Sequence, residues 1–316
     1  MTVLKDDIGR SFRVLRVSLL DTCNFACTYC VCEDQPIPEK AAKATLSVDE
    51  LIGLIGHLHQ TLDLQTVRLT GGEPLLYPEL VGLIAGIRSL GVRNIKMTTN
   101  GFLLARKVEA LKRAGLQSIN VSLDALDERC FFRMTKRGGV ERVIAGITGA
   151  KNAGMDVKIN TVVMRGENDH ELLPLLDFAF RHGLKIRFLE LMGMGHLYGT
   201  GDGKFFSKQE MLARIAAKYS IRELAKRPGE TATYWTTACG RSFGIIANES
   251  QPFCFDCNRL RLDINGNIYG CLSSNTPISI ADIATQQGLE ASLGAALAQK
   301  QITFTGSEMS MLTIGG

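Results

Sequence analysis

The feature that most constrains the fold is a regular alternation of short apolar runs with amphipathic segments, repeated six times between residues 14 and 191. The runs are rich in Val, Ile and Leu, which is typical of buried parallel strands, and the segments between them have the periodicity and capping residues of helices. Strands that alternate with helices through short connections run parallel, with right-handed crossovers. The sequence therefore predicts an α/β fold built on a partial (β/α)6 barrel of the TIM type.

These patterns give approximate bounds for each element. The predicted strands lie at residues 14–20, 65–70, 95–98, 118–123, 158–164 and 186–191. The predicted helices lie at residues 47–60, 79–90, 107–114, 128–135, 140–153, 170–181 and 207–217. Two of these helices begin with a serine followed three residues later by a glutamate, which is a capping-box signature.

The pattern changes after residue 193. Residues 193–204 are glycine-rich and are predicted as a loop, and residues 221–275 have the composition of short strands joined by turns such as Asn265-Gly266. A further helix is predicted at residues 291–300. We therefore divide the chain into a barrel core, residues 1–225, and a C-terminal region, residues 226–316, which extends and caps the barrel.

Polar, glycine and cysteine residues come after the predicted strands and not before them. Three cysteines follow the first strand, Gly-Gly-Glu-Pro (residues 71–74) follows the second, and Thr-Asn-Gly (residues 99–101) follows the third. The C-terminal ends of the strands carry the active site in barrels of this type. Glu73 could also accept a hydrogen bond from an amine there. The sequence thus predicts a site at this end of the barrel.

Composition excludes several classes of function. The formal net charge is +4 with 36 Lys and Arg residues, and no long basic run points to nucleic-acid binding. No apolar stretch approaches the roughly 18 residues of a membrane span, and the first residues lack the layout of a signal peptide. We expect a cytoplasmic protein that binds neither nucleic acid nor membrane.

The nine cysteines of a cytoplasmic chain are read first as metal or redox ligands. Seven of them form two groups near opposite ends of the chain: Cys23, Cys27, Cys30 and Cys32, then Cys254, Cys257 and Cys271. Each group is compatible with a tetrahedral zinc site, completed by Cys32 or by Cys239, or with an iron–sulfur cluster that keeps one iron open. The spacing of the cysteines leaves both alternatives open.

The motif Cys-x-x-x-Cys-x-x-Cys with Tyr29 before its last cysteine, followed by Gly-Gly-Glu-Pro after the next strand, resembles the radical S-adenosylmethionine (SAM) superfamily. In that superfamily the three cysteines hold a 4Fe–4S cluster, and SAM binds the open iron. Reduction of SAM releases a 5′-deoxyadenosyl radical, which takes a hydrogen from the substrate. The resemblance also implies a partial (β/α)6 barrel.

The second group of cysteines narrows this resemblance. Cys254-Phe-Asp-Cys257-Asn-Arg-Leu-Arg-Leu, the later Cys271 and the terminal Gly-Gly resemble the GTP 3′,8-cyclase family of molybdenum-cofactor biosynthesis, from residue 9 to the end of the chain. The resemblance implies a second 4Fe–4S cluster, bound by the C-terminal region with its open iron facing guanine. It also implies the conversion of GTP to (8S)-3′,8-cyclo-7,8-dihydroguanosine 5′-triphosphate, through hydrogen abstraction at C3′ and attack of C3′ on C8.

The resemblance assigns residues to each ligand, and no side chain is expected to act as a catalytic acid or base. The implied cluster ligands are Cys23, Cys27, Cys30, Cys254, Cys257 and Cys271. The implied SAM contacts are Tyr29, Gly72, Ser122 and Met192. The implied GTP contacts are Arg16, Arg68, Thr99, Lys158, Arg259 and Arg261, and the tail Gly315-Gly316 is expected to assist in the active site. Five cations suit a triphosphate, because arginine binds phosphate oxygens bidentately.

Three residues depart from the family pattern. Thr22, Thr66 and Gly193 stand where the family usually has an arginine, a lysine and an aspartate. These departures leave room for an alternative function, a radical SAM paralogue that uses an auxiliary 4Fe–4S cluster to modify a peptide or another nucleotide. A zinc-binding adaptor is the non-enzymatic alternative, and the six β–α units with ligands after successive strands disfavour it.

The resemblance also implies partners for the chain. These are an external electron donor, a cyclic pyranopterin monophosphate synthase that acts downstream, and a second copy in a homodimer. We expect Cys32 and Cys130 to be bystanders, although Cys32 is close enough to the first motif for a substitution to disturb it.

Overall fold

The computed structural model describes residues 4–32, 46–201, 203–283 and 285–315. Its first half contains the six predicted strands, which pair in chain order and all run parallel. They are β1 Val14–Ser18, β2 Thr66–Thr70, β3 Asn94–Thr99, β4 Ser118–Ser122, β5 Asp156–Val163 and β6 Lys185–Glu190. The α/β fold with a parallel sheet is therefore confirmed, and its strand order is that of a partial barrel.

Helices cover the outside of this sheet. They are α1 Val48–Leu62, α2 Leu80–Ser89, α3 Val108–Ala114, α4 Glu128–Thr135, α5 Val140–Asn152, α6 Leu172–Arg181, α7 Lys208–Ala216, α8 Gln286–Ala298 and α9 Met311–Ile314. Both predicted capping boxes are present, at Ser47 and Ser207. Within the described parts of the chain, no helix is long and apolar enough to cross a membrane.

One predicted helix begins earlier than expected, and one short helix was not predicted. Helix α8 begins at Gln286, five residues before its predicted start, because the Thr285 side chain accepts a hydrogen bond from the backbone of Gly288 and caps it there. Helix α9 was not predicted, since its four residues are too short to show a helical period.

The C-terminal strands join both edges of the parallel sheet. They are β7 Ile221–Glu223, β8 Thr233–Thr237, β9 Ser242–Ile246, β10 Arg259–Asp263, β11 Asn267–Tyr269 and β12 Ile278–Ser279. Strand β10 pairs parallel with β1, and β9 pairs parallel with β6. One twelve-stranded sheet results, in the order β12-β11-β10-β1-β2-β3-β4-β5-β6-β9-β8-β7. Strand β7 pairs with β8 across residue 225, and the boundary placed there stays a prediction.

Successive side chains of each strand point to opposite faces, and this separates the core from the site. Leu15, Val17, Val67 and Leu69 are fully buried among the apolar residues of the core. The residues between them on the same strands, such as Arg16, line an internal cavity. The apolar face thus supplies burial energy, and the other face is free to carry polar side chains.

Candidate functional site

Two adjoining cavities occupy the inside of the barrel. The first, about 170 Å³, lies at the C-terminal ends of the strands and is lined by Cys23, Cys27 and Cys30. The second, about 600 Å³, reaches deeper along the strands. It is lined by the three C-terminal cysteines Cys254, Cys257 and Cys271. Five residues line both cavities, so the two spaces meet: Thr98, Asn160, Leu189, Met192 and Met311.

The first cysteine loop is fixed from outside by the end of α4. The backbone amides of Ala26 and Thr28 donate to the carbonyl oxygens of Thr135 and Met134, at 2.9 and 3.0 Å. The ring of Phe25 is buried between two other rings, Phe102 and Phe131, in edge-on contacts at 5.6 and 5.7 Å. With its backbone and apolar side chain held on one side, the loop presents its thiols to the cavity.

The buried thiols are crowded. Burial raises the pKa of Cys23 to about 11 and that of Cys30 to about 12, and the pKa of Cys27 is raised well above its ordinary value. The Glu73 carboxylate raises the pKa of Cys23 further. The Cys30 thiol does the same for Cys27, and the Cys23 thiol does so for Cys30. Three thiolates in one buried place are unfavourable, because they are desolvated and repel one another. A cationic metal centre that binds them would remove this repulsion.

The cysteines of each cavity are one short of a structural zinc site. Such a site takes four protein ligands, and each cavity is lined by three cysteines. Neither proposed fourth ligand, Cys32 or Cys239, lines the cavity of its group. Two sets of three soft thiolates around internal cavities fit iron–sulfur clusters instead.

The four predicted SAM contacts, Tyr29, Gly72, Ser122 and Met192, all line the first cavity. The hydroxyl of Tyr29 donates to the buried carboxyl of Asp124 at 2.7 Å. The sulfur of Met192 accepts a hydrogen bond from the Asn248 amide at 3.3 Å. The four residues come from the cysteine loop and from the ends of β2, β4 and β6, so the fold, rather than any one segment, brings them together.

Glu73 ties two strand ends together. Its carboxyl accepts hydrogen bonds from the Leu75 amide at 2.9 Å, the Thr99 hydroxyl at 2.6 Å and the Asn100 amide at 2.7 Å. Burial raises the pKa of Glu73 to about 7, and these hydrogen bonds act in the opposite direction. The carboxyl therefore fixes the loop after β2 against the end of β3.

The hydrogen bonds of Glu73 involve Thr99, which is one of the predicted GTP contacts. Thr99 is buried, bonds to Glu73, and lines the first cavity, whereas the other predicted GTP contacts line the second. Its neighbour Thr98 lines both cavities and accepts a hydrogen bond from Arg68 at 3.4 Å. The role predicted for Thr99 remains a prediction, and its neighbour Thr98 is the one of the two that reaches the second cavity.

The second cavity is walled by cations. The five predicted ones are present: Arg16, Arg68, Lys158, Arg259 and Arg261. Sequence reasoning missed five more: Lys96, Lys185, Arg187, Arg227 and Lys300. The signal for Lys96 and Arg187 was available in strand alternation, because each occupies the polar face of a strand whose other face is apolar.

Sheet register sets four of these cations side by side. Arg261 pairs with Arg16 across β10 and β1, Arg16 with Arg68 across β2, and Arg68 with Lys96 across β3. Burial and neighbouring arginines lower the pKa of Arg16 well below its ordinary value, and that of Arg68 to about 10. The buried Nε of Arg16 has no hydrogen-bond partner. Like charges in register destabilise a sheet, so this wall is suited to a polyanion.

The second cysteine group borders this wall. Burial raises the pKa of Cys257, but Arg259 and Lys300 outweigh that effect and lower it to about 6. The Lys300 amine also donates to the sulfur of Cys257 at 3.6 Å. By contrast, burial and Cys271 raise the pKa of Cys254 to about 11. The cations thus favour the thiolate form at one member of the group, as a metal ligand requires.

The C-terminal tail runs close to the site. The Arg261 guanidinium donates to the carbonyl oxygens of Ile314 (3.1 Å) and Gly315. Gly315 has a φ of 76°, and a Cβ there would lie 2.5 Å from the Thr70 side chain, so glycine suits the position. The other predicted tail residue, Gly316, lies outside the described residues.

The three residues that depart from the family pattern lie in different parts of the structure. The carbonyl oxygen of Thr22 accepts the Glu73 amide at 2.9 Å. Thr66 lines the second cavity, and the amide of Gly193 donates to Glu249 at 2.9 Å. Cys130 lines neither cavity.

Gly72 offers a direct test of the first cavity. A Cβ at this position would overlap the carbonyl oxygen of Thr22, so Gly72→Ala must displace the backbone beside the cysteine loop. We expect a loss of SAM affinity of about tenfold or more, measured by equilibrium binding under anaerobic conditions. Gly82→Ala is the control, since nothing lies within 4 Å of its Cβ. Equal SAM affinities of the two variants would contradict the expectation.

Glu73 predicts a pH effect on stability. Its pKa is about 7 in the folded chain against an ordinary 4.5, so the folded chain binds this proton more tightly than the unfolded chain. The stabilisation is complete below pH 4.5 and is lost as the pH rises through 7. The measured quantity is the difference in free energy of unfolding between the wild type and Glu73→Gln, both without SAM. This difference should fall by up to about 3 kcal/mol as the pH rises across this range. Urea denaturation at several pH values measures it, and a constant difference would contradict the assignment.

Comparison with solved structures places the fold. SuiB of Streptococcus suis, in a crystal structure with its precursor peptide SuiA, has a TM-score of 0.68 and 14% sequence identity, over 93% of this chain and 68% of that one. Native anSMEcpe with bound AdoMet has a TM-score of 0.62 and 13% identity, over 87% of this chain and 79% of that one. At these identities the likeness shows the fold alone.

Sequence comparison shows the family. Residues 17–179 match the Radical SAM superfamily, and residues 184–305 match Molybdenum Cofactor Synthesis C. The chain is 39% identical to a GTP 3′,8-cyclase of Synechocystis sp. over 89% of its length and 85% of the relative's. It is 36% identical to the GTP 3′,8-cyclase of Edwardsiella ictaluri, over 94% of this chain and 92% of the relative's length. The chain therefore belongs to the radical SAM superfamily and, within it, to the family of GTP 3′,8-cyclases.

Proposed function

We propose that this chain converts GTP to (8S)-3′,8-cyclo-7,8-dihydroguanosine 5′-triphosphate in molybdenum-cofactor biosynthesis. The observation that carries the proposal is the wall of cations in one cavity that adjoins a second, thiol-lined cavity. A substrate that fills both must be a polyanion at one end and meet the SAM site at the other. A nucleoside triphosphate has this form.

The first cavity is the proposed place of radical formation. Cys23, Cys27 and Cys30 would hold a 4Fe–4S cluster, and Tyr29 and Gly72 belong to the wall against which SAM would lie. When bound, the cluster and SAM supply the 5′-deoxyadenosyl radical that takes a hydrogen from C3′ of GTP. The protein contributes position: the Glu73 hydrogen bonds and the α4 contacts hold the walls of this cavity in place.

The second cavity is the proposed triphosphate site. Arg16, Arg68, Lys158, Arg259 and Arg261 face a common space, and a triphosphate would neutralise several of them at once. The free energy that the sheet spends on holding like charges in register would be recovered when the anion binds. Guanidinium groups suit this role because they bind phosphate oxygens through two parallel hydrogen bonds.

The C-terminal cysteines are the proposed ligands of a second 4Fe–4S cluster. Cys254, Cys257 and Cys271 line the same cavity as the cations, and Arg259 and Lys300 favour the thiolate of Cys257. Three protein ligands leave one iron open, which we propose faces the guanine base. The base would then lie beside the cations that hold its own phosphates.

The second cluster can be tested by metal analysis. After anaerobic reconstitution, two four-iron clusters give about eight irons per chain, and Cys254→Ser should lower the content to about four. Cys239→Ser is the matched control, because this exposed cysteine lines neither cavity, and it should keep all eight. Stoichiometric zinc, or an unchanged iron content in Cys254→Ser, would overturn the second cluster.

The resemblance adds partners to the proposal. An external electron donor would supply the electron for SAM reduction, and a cyclic pyranopterin monophosphate synthase would consume the product. The proposal further places the protein in the cytoplasm, as a homodimer.

A turnover experiment tests the function. Reduced, reconstituted enzyme with SAM and GTP should release 5′-deoxyadenosine together with a cyclised nucleotide, both detected by mass spectrometry. Arg259→Ala and Arg261→Ala should weaken GTP binding by about tenfold to a hundredfold and leave SAM affinity within about twofold. Arg93→Ala removes the same charge from an exposed site as a control. Deoxyadenosine release that is indifferent to GTP and responds to a peptide would favour the paralogue instead.

A further inference from the structure

Lys96 is a cation of the second cavity that the resemblance to the GTP 3′,8-cyclases does not assign to any ligand. It lies half-buried on β3, in register with Arg68 on β2. In the described part of the chain, its amine makes neither a hydrogen bond nor an ion pair. Burial and Arg68 lower the pKa of this amine, and the carboxylate of Asp156 acts in the opposite direction.

The neighbouring cations are engaged. Lys158 pairs with Asp156 at 2.6 Å, and Arg187 donates to the side chain of Asn160 at 3.0 Å. Arg261 donates to the tail, and Lys300 donates to the backbone of Arg259. Lys96 therefore differs from these residues of the same wall in having its donors available for a ligand.

Asn120 supplies a second, independent observation. It lies on β4, next to β3, and lines the same cavity. Its side chain is 4% exposed, and its amide oxygen is buried without a hydrogen-bond partner. Register places it opposite Thr98 on one side and Lys158 on the other. No hydrogen bond of the Asn120 side chain is found within the described residues, and a buried amide oxygen without a partner is costly.

We infer that Lys96 and Asn120 form a phosphate-binding subsite for the triphosphate of the substrate. The ammonium group donates to non-bridging phosphate oxygens. Asn120 lines the same cavity, and its Nδ2 group also donates to the phosphate. The subsite lies two strands from β1 in the same sheet and extends the row of cations to β4, so that the phosphate chain has a further anchoring point. That the triphosphate belongs to GTP rests on the proposed function. That the subsite binds phosphate does not depend on it.

The test uses inorganic tripolyphosphate and GTP as separate probes of the anaerobically reconstituted enzyme, with dissociation constants measured by calorimetry at fixed ionic strength. Lys96→Gln should weaken binding of both probes by about tenfold or more, and Lys96→Arg should stay within about threefold of wild type. Lys112→Gln removes the same charge from an exposed position on α3 and should have no effect beyond about twofold.

Asn120→Asp separates binding from folding. The new carboxylate would lie near Lys96 and Lys158 and repel phosphate, so tripolyphosphate binding should fall further than in Lys96→Gln. The same carboxylate neutralises the cations, so the unfolding temperature without ligand should not fall. A variant that binds poorly and also unfolds more easily would indicate a structural role and overturn the subsite.

The two proposals fail differently. If Lys96→Gln binds tripolyphosphate as well as Lys112→Gln does, or if the wild type does not bind it, the subsite is overturned. If the wild type binds tripolyphosphate in a Lys96-dependent way but does not bind GTP, the subsite stands and GTP as the substrate is wrong.

Discussion

The row of like charges inside the sheet is the constraint on which the rest of the structure depends. Arg261, Arg16, Arg68 and Lys96 lie in register across β10, β1, β2 and β3, and burial lowers the pKa of each. The chain tolerates this repulsion because the opposite face of the same strands is fully apolar and packs under the helices. Like charges held in register in this way are unfavourable in the empty sheet and suit the binding of an anion.

The edges of the sheet explain how the two cysteine groups come together. Strand β10 lies beside β1 although the two are far apart in sequence, so the turn that carries Cys254 and Cys257 reaches the inside of the barrel. Arg10 reinforces this junction with a hydrogen bond to the Cys254 carbonyl oxygen at 2.5 Å. Residues of the C-terminal region, Cys254, Cys257 and Cys271 among them, thus line the second cavity together with residues of the N-terminal half. Its last segment, anchored by Arg261, closes back towards the same site.

Much of this organisation was predictable. All six parallel strands were located to within a few residues, because parallel strands and amphipathic helices have strong local periods. The cysteine and arginine motifs led to the two cavities, and the five predicted cations all line one of them. Lys96 and Asn120 were missed, because an isolated polar residue in a strand does not reveal whether its face is solvent or the inside of a barrel. The role of Thr99 stays a prediction: Thr99 lines the first cavity, whereas Thr98, one residue earlier on the same strand, lines both cavities.

By itself, the sequence determined the elements, the spacing of the thiols and the charge available for a ligand, since these depend on residues close together in the chain. Only the tertiary structure decided which side chains became neighbours. The pairing of β10 with β1, the register that aligns the cations and the contact of Glu73 with the end of β3 all join distant segments. The physical reason is that strand pairing and burial are settled by the packing of the whole sheet, whereas periodicity is settled within a single element.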